Sequence, residues 1–240
     1  MLRLENICYK NILCNINLVV QNGEFAIITG DNGAGKTTLF NIIAGIKKPT
    51  KGRVLINGQD ANCMSLKERT RLIANVLQDP RQGTIAEMTI FENLNTALKR
   101  GQRRFVTVAK RELRDFFKEK LSILQMGLEN RLDEYAGNLS GGQRQALSLI
   151  MATIVNYEIL LLDEITASLD KKTSVLVMNI AQNIAKNDNK ACLAITHDEL
   201  VIEKLDTTSI KRLAMEELNR YHQQNLSGND LTPNTDNNSL

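Results

Sequence analysis

The chain has 240 residues, 42 % of them hydrophobic and 24 % charged, which is enough apolar material for one compact unit or two closely packed ones and excludes a disordered or collagen-like chain. Thirty Lys and Arg against 27 Asp and Glu leave a formal charge of +3, too small to serve as a general electrostatic footprint for nucleic acid. No apolar run approaches the ~20 residues that cross a bilayer, and Met1-Leu2-Arg3-Leu4-Glu5 does not read as a secretory signal, so a soluble chain on the cytosolic side is expected.

Ile16, Leu18 and Val20, with Asn15 and Asn17 interleaved, predict strands with one face on a core, closed by the turn Asn22-Gly23. Phe25-Ala26-Ile27-Ile28-Thr29 predicts a strand covered on both faces, and Lys36 to Ala44 a helix stopped by Gly45 and Pro49. Val54-Leu55-Ile56 with Asn57-Gly58 predicts another strand and turn, and Ser65 to Ala74 a short helix running into Val76-Leu77. From Glu87 to Met126 Leu, Ile and Phe recur at helical spacing among many charges, a mainly helical insertion. Ile159 to Leu162 and Ala191 to Thr196 return to buried-strand character around a helix from Ser174 to Lys186. Asp206 to Arg220 reads as helix, and beyond about Gln223 the polar composition predicts a disordered tail over 223–240.

Cys8, Cys14, Cys63 and Cys192 are scattered, without the spacing of a zinc site, and are expected to act as reduced, small apolar residues. His197 and His222 form no metal cluster in sequence.

Gly30-Asp31-Asn32-Gly33-Ala34-Gly35-Lys36-Thr37 matches a phosphate loop, placed between strand and helix as its chemistry demands. Its glycines let backbone N–H groups turn inward around phosphate oxygens at the positive end of the following helix. Lys36 would bridge the β- and γ-phosphates, and the Thr37 hydroxyl would hold Mg²⁺. Leu160-Leu161-Leu162-Asp163-Glu164 supplies an acidic partner for the metal in Asp163 and a general base in Glu164; taken alone, the two carboxylates could equally cap a strand or helix. Ser140 is a candidate N-cap, and Gly141 and Gly142 after it leave first-turn N–H groups open, so Leu139-Ser140-Gly141-Gly142-Gln143 reads either as a second anion site or as a capped helix.

The order and spacing of Gly30 to Thr38, Gln78, Leu139 to Gln143, Leu160 to Glu164, Ser168-Leu169-Asp170 and His197 resemble the nucleotide-binding subunits of ABC transporters from about Leu2 to Asp198. The fold so implied is α/β, a P-loop NTPase core of ABC ATPase type with an N-terminal antiparallel β region and an inserted helical subdomain. The expected division is one domain over 1–222, with the α/β core at about 1–83 and 157–222 and the helical subdomain at about 84–156. The resemblance implies a head-to-tail dimer holding ATP and Mg²⁺, each nucleotide pressed between the phosphate loop of one subunit (Gly30, Asn32, Gly33, Gly35, Lys36, Thr37, Thr38) and Ser140, Gly141, Gly142 and Gln143 of the other. It further implies Tyr9 stacked on adenine, Gln78 sensing Mg²⁺ and the attacking water, His197 at the γ-phosphate and Asp170 reaching across the dimer. Thr37, Gln78 and Asp163 are then the metal residues, and Glu164, His197 and Gln78 the catalytic ones.

Two features depart from the family pattern: Ile165 stands where Pro is usual, and the stretch after His197 lacks the customary strands and turn, so the sheet edge is expected to be cut short. Val76 to Pro80 with Gly83-Thr84, Met88-Thr89-Ile90, Glu92-Asn93-Leu94, Ala146-Leu147-Ser148-Leu149 and Met151-Ala152-Thr153 resemble a narrower group, the ATPases of tryptophan/tyrosine-type importers. Implied partners are a membrane permease and, indirectly, a substrate-binding protein, with the chain peripheral on the inner face of the cell membrane and no nucleic acid. Lys99, Arg100, Arg103, Arg104, Lys110, Arg111 and Arg114 read as a solvated helical face or as a contact with anionic lipid. The competing functions are a soluble ABC-type ATPase acting on ribosomes or DNA, and an interaction module without hydrolysis.

Overall fold

The computed structural model describes residues 1–99, 110–205, 210–215 and 217. In chain order the elements are β1 (Leu2–Tyr9), β2 (Leu13–Val20), β3 (Phe25–Thr29), α1 (Lys36–Ile43), β4 (Lys51–Ile56), β5 (Gln59–Asp60), α2 (Leu66–Leu72), β6 (Ile73–Val76), α3 (Pro80–Gly83), α4 (Ile90–Leu98) and α5 (Lys110–Ser122). There follow α6 (Gly141–Thr153), β7 (Ile159–Asp163), α7 (Lys171–Asn187), β8 (Ala191–Ile195), α8 (Glu199–Lys204) and β9 (Ile210–Ala214).

Alternation in the first twenty residues buries Leu2, Leu4, Ile7, Leu13, Ile16, Leu18 and Val20, and this inward face belongs to an antiparallel sheet ordered β2-β1-β4-β5. The continuous apolar runs behave differently. β3, β7 and β8 are buried on both faces in a parallel sheet ordered β6-β7-β8-β3-β9. Because successive side chains point to opposite faces, Leu160 and Leu162 face the helical side with Leu147 and Met178, whereas Ile159 and Leu161 face α1 and the antiparallel sheet. The parallel sheet is thus the middle layer between two apolar cores.

Two expectations from the sequence are corrected. The helix expected over Ser65 to Ala74 ends at Leu72, because Ile73 and Ala74 pair with Ile159 and Leu160 of β7; its start is fixed by the reciprocal bonds of Ser65 and Glu68. The helix expected over Asp206 to Arg220 gives way, in the described residues, to strand β9, which runs parallel to β3 from Phe25↔Ile210 to Thr29↔Ala214. The sheet edge is therefore not cut short. The buried strand β3 offers a ladder that five residues can complete, and Lys211 and Arg212 give the new outer strand the charged character typical of edges. Lys211 Nζ also donates to Val19 O at 3.0 Å, tying β9 to the other sheet.

In the helical block, Phe117, Leu121 and Leu124 are buried, and Phe117 meets Phe91 edge to face with centroids 5.4 Å apart. Arg114, from the basic cluster, forms a fork on Asp133 at 2.8 and 2.6 Å and lies over the Phe91 ring, so it ties α5 to α4 rather than facing solvent freely. Arg100, Arg103 and Arg104 of that cluster, and the 223–240 tail, lie outside the described residues.

Candidate functional site

All five strands of the central sheet run parallel, so their C-terminal ends open on one edge, where an α/β fold offers its ligand crevice. There β3 delivers Gly30 to Lys36, β7 delivers Asp163 and Glu164, β8 leads through Thr196 to His197, and β6 leads through Leu77 to the exposed Gln78. Four segments far apart in sequence thus meet on one rim.

Gly35 caps α1 with φ 96° and no side-chain hydrogen bond, which leaves the first-turn N–H groups open to an anion. A β-carbon at Gly35 would lie 2.7 Å from Leu13 Cδ2 and 2.9 Å from Ile12 Cγ2, so the β1–β2 hairpin presses on the loop and only glycine fits. Gly30 and Gly33 also adopt positive φ, and Asn32 lies exposed between them. Lys36, 6 % exposed, folds its Nζ over the loop to Gly30 O at 2.7 Å and Asp31 O at 2.8 Å. Thr37 and Thr38 follow it in the first turn of α1.

Glu164 takes φ 48°, a left-handed conformation that costs a non-glycine residue about 1–2 kcal/mol. The surroundings hold it: its N–H donates to Ile195 O at 3.1 Å, and its Oε1 lies 3.1 Å from His197 Nε2. Ile165, the departure from the family pattern, is buried in the helical-side core and anchors this turn by packing. A cavity of about 380 Å³ borders Glu164, Thr196 and His197.

Burial raises the Asp163 carboxyl above its ordinary pKa, the Glu164 charge raises it further, and Lys36 opposes both. Mg²⁺ with a nucleotide takes one or two carboxylates, a hydroxyl, phosphate oxygens and water, not a cage of protein ligands. Among the described residues no cluster of three His, Cys, Asp or Glu exists, whereas Asp163, held next to Lys36, and the Thr37 hydroxyl on the residue after that lysine suit such shared ligation. Since the folded pKa of Asp163 is raised, its ionisation opposes folding as pH rises through that value, and the penalty is absent below the unfolded pKa. Asp163→Asn is therefore expected to raise the nucleotide-free melting temperature at neutral pH by a few degrees, a gain that vanishes below about pH 4, while abolishing hydrolysis; thermal scans at both pH values check it.

Tyr9 ends β1, half-buried against the core of the antiparallel sheet, with Lys10 Nζ 5.4 Å and Lys47 Nζ 5.5 Å from its ring centroid. Ser140 and Gln143 form a capping box at the start of α6, with Gln143 N donating to Ser140 Oγ at 3.3 Å and Ser140 N to Gln143 Oε1 at 3.2 Å. This helix packs mainly on α3, α4, β6 and α7, so the structure joins the loop, the carboxylates and His197 on one edge and leaves Ser140 to Gln143 on a separate element. A β-carbon at Gly142 would sit 2.3 Å from Thr173 Cγ2, a packing reason for this glycine that sequence alone did not reveal. Thr173 in turn donates its hydroxyl to Asp170 at 2.6 Å, which caps α7 and holds the Asp170 carboxyl below its usual pKa.

Sequence reading also missed how the segment after Gln78 is held. Gln145 Nε2 donates to Leu77 O at 3.1 Å, Arg144 Nε to Thr84 Oγ1 at 2.5 Å, and Thr84 Oγ1 to Pro80 O at 2.8 Å. Fully buried Asn93 accepts from Ile85 N and donates to the Ile85, Met88 and Thr89 carbonyls. The one available signal was a polar Asn on the apolar stripe of α4. Beside this segment lies a groove of about 500 Å³ lined by Asn75, Leu77, Thr84, Ile85 and Met151 among others.

A phosphate loop with an open helix start, a half-buried acidic strand end and a carboxylate at a histidine define a phosphate-loop ATPase. The family described as ABC transporter matches residues 13–167. The Tyrosine transport ATP-binding protein of Clostridioides difficile (strain R20291) is 38% identical over 189 residues, 79% of this chain and 75% of that protein. The ABC transporter ATP-binding protein YtrE of Bacillus subtilis (strain 168) is 35% identical over 199 residues, 79% of this chain and 80% of its own. Among solved structures, the dimeric bacterial ABC transporter cassette MJ0796 superposes with a TM-score of 0.74 at 30% identity, covering 90% of this chain and 95% of that one; its post-hydrolysis state bound to ADP and Pi gives 0.73 at 31%. The chain belongs to the ABC transporter family, as an ATP-binding domain with ATPase activity. Among the described residues no helix is long and apolar enough to cross a membrane.

Proposed function

We propose that two copies of this chain, head to tail, bind and hydrolyse ATP to drive a separate membrane permease that imports a small solute such as an amino acid. The observation that carries the reading is the pair of helix starts: α1 opens over the phosphate loop beside Glu164 and His197, while α6 offers its own N-terminus, with two glycines, away from that loop. A second subunit brings the two together.

In this reading the open N–H groups from Gly30 to Thr38 cradle the phosphates, and Lys36 exchanges the Gly30 and Asp31 carbonyls for phosphate oxygens. Tyr9 stacks on adenine. Thr37, Asp163 and Gln78 would hold Mg²⁺, which would neutralise charge on the phosphates. Glu164 takes the proton of the attacking water, and His197, in contact with its carboxylate, steadies it and meets the γ-phosphate. Ser140, Gly141, Gly142 and Gln143 close over the partner's nucleotide, with Asp170 beside the partner's phosphate loop. The division into a core at 1–83 and 157–222 and a helical subdomain at 84–156 belongs to this proposal. The permease docks on the groove between Asn75, Thr84 and Met151, which holds the chain on the inner face of the membrane. The name of the Clostridioides difficile relative supports an amino-acid cargo, which permease and binding protein select. Purification of the tagged chain from membranes is expected to bring down one integral membrane protein that stimulates ATP hydrolysis. Recovery of ribosomes or DNA, with no membrane protein, overturns the proposal.

A further inference from the structure

Cys8 and Cys14, distant enough in sequence to look unrelated, meet on the outer face of the N-terminal hairpin. β1 and β2 pair as Ile7↔Ile16 and Tyr9↔Leu13, with an irregularity between these pairs that sets Cys8 opposite Cys14 and Asn15. The Asn15 N–H donates to Cys8 Sγ at 3.2 Å, and burial, with Cys8 alongside, raises the Cys14 thiol above its ordinary pKa. Both residues are half-exposed, whereas Cys192 is fully buried and Cys63 is exposed in the short segment before α2. Lys51, the register partner of Cys8 on β4, partly opposes the rise at Cys14 with its positive charge. Neighbouring antiparallel strands hold their Cα atoms about 4.5–5.5 Å apart, inside the range a disulfide spans.

The hairpin that carries this pair also carries Tyr9, and its tip residues Ile12 and Leu13 are those that press on Gly35 of the phosphate loop. We propose that Cys8 and Cys14 form an oxidisable dithiol, which closes to a disulfide by exchange with a low-molecular-weight disulfide and thereby weakens nucleotide binding. The second half of this inference rests on the nucleotide site proposed above. The Cys8 thiolate attacks one sulfur of the oxidant, whose S–S bond breaks and whose departing thiolate takes up the released proton. Cys14 then loses its proton and attacks the Cys8 sulfur of the mixed disulfide, expelling the second small thiol. Two S–H bonds and one S–S bond of the reactants become one S–S bond in the protein and two free thiols. The second step is intramolecular, between residues that the strand register sets opposite each other, which favours the closed pair over a lasting mixed disulfide. Closure turns a contact between two mobile side chains into a covalent cross-link of fixed geometry, so the hairpin that carries Tyr9 and the tip against Gly35 can no longer adjust around a bound nucleotide.

The test equilibrates the full chain in glutathione buffers of graded oxidation, alkylates with iodoacetamide, maps peptides by mass spectrometry and titrates a fluorescent ATP analogue. The expected result is a peptide linked through Cys8 and Cys14, with analogue affinity about three- to tenfold weaker and restored by dithiothreitol, the size of losing one ring stack. Cys14→Ser is expected to bind the analogue like the reduced chain and to lose the affinity change on oxidation. Separate alkylation or glutathionylation of Cys8 and Cys14 across the series overturns the dithiol; a linked peptide with unchanged affinity overturns the regulatory half. A reduced chain that binds no analogue overturns the nucleotide reading and its regulation together, and the linked peptide still decides the dithiol.

Discussion

Glu164→Gln is expected to lower ATP turnover by about 10²- to 10⁴-fold, the contribution of a positioned general base, while nucleotide stays bound. Glutamine keeps the shape and the reach to His197, and the turn that forces φ 48° at this position is held by the Ile195 carbonyl and by buried Ile165, neither of which the substitution touches. What it loses is the proton acceptor. The change also acts on Asp163. The Glu164 charge is the second cause, after burial, of the raised Asp163 pKa, so removing it lets Asp163 ionise more readily and strengthens the acidic partner that Mg²⁺ requires. Binding and hydrolysis are therefore expected to separate in this variant, with accumulation of the ATP-bound dimers proposed above. Phosphate release measured beside size-exclusion profiles with ATP checks both halves; hydrolysis at the unsubstituted rate would refute the assignment of the base.

How much of this was legible in the sequence follows from how local each feature is. The phosphate loop and the acidic strand end were readable because their chemistry is written in consecutive residues, Gly30 to Thr37 and Leu160 to Glu164, flanked by strands whose apolar runs admit one environment. β9 was not readable, since five residues with Lys211 and Arg212 among them become a strand only because β3 leaves a ladder open beside them. The same holds for pairs that the fold creates: Gly142 against Thr173, Arg144 on Thr84, and Cys8 beside Cys14 across an irregular pair of strands. The contact of Glu164 with His197 depends on two parallel strands ending together, which their spacing in the chain does not encode. Sequence motifs thus named the candidate groups, and the parallel sheet supplied the distances between them.

Ser140→Arg separates a reaction completed by one chain from a reaction shared by two. The side chain of Ser140 accepts one hydrogen bond, from Gln143 N, and the residue is exposed, so its loss costs about 1 kcal/mol of helix capping against the 5–15 kcal/mol that holds a domain together. The chain should fold. Its own phosphate loop lies on another element and is untouched, so ATP affinity is expected to stay within about threefold, below the tenfold that 1.4 kcal/mol represents. Hydrolysis is nevertheless expected to fall by about 10²- to 10³-fold, the scale of losing a preorganised anion site, because in the proposed head-to-tail pair an arginine at the start of α6 blocks the face that closes on the other subunit's phosphates. Placed in the Glu164→Gln background, the substitution should also prevent the ATP-dependent dimer. Mixing Ser140→Arg with Lys36→Ala decides the geometry: in a head-to-tail pair both lesions fall into one composite site and the other is intact, so two inactive proteins together regain turnover. A monomer carrying Ser140→Arg that hydrolyses ATP at the full rate would place the entire reaction on one chain.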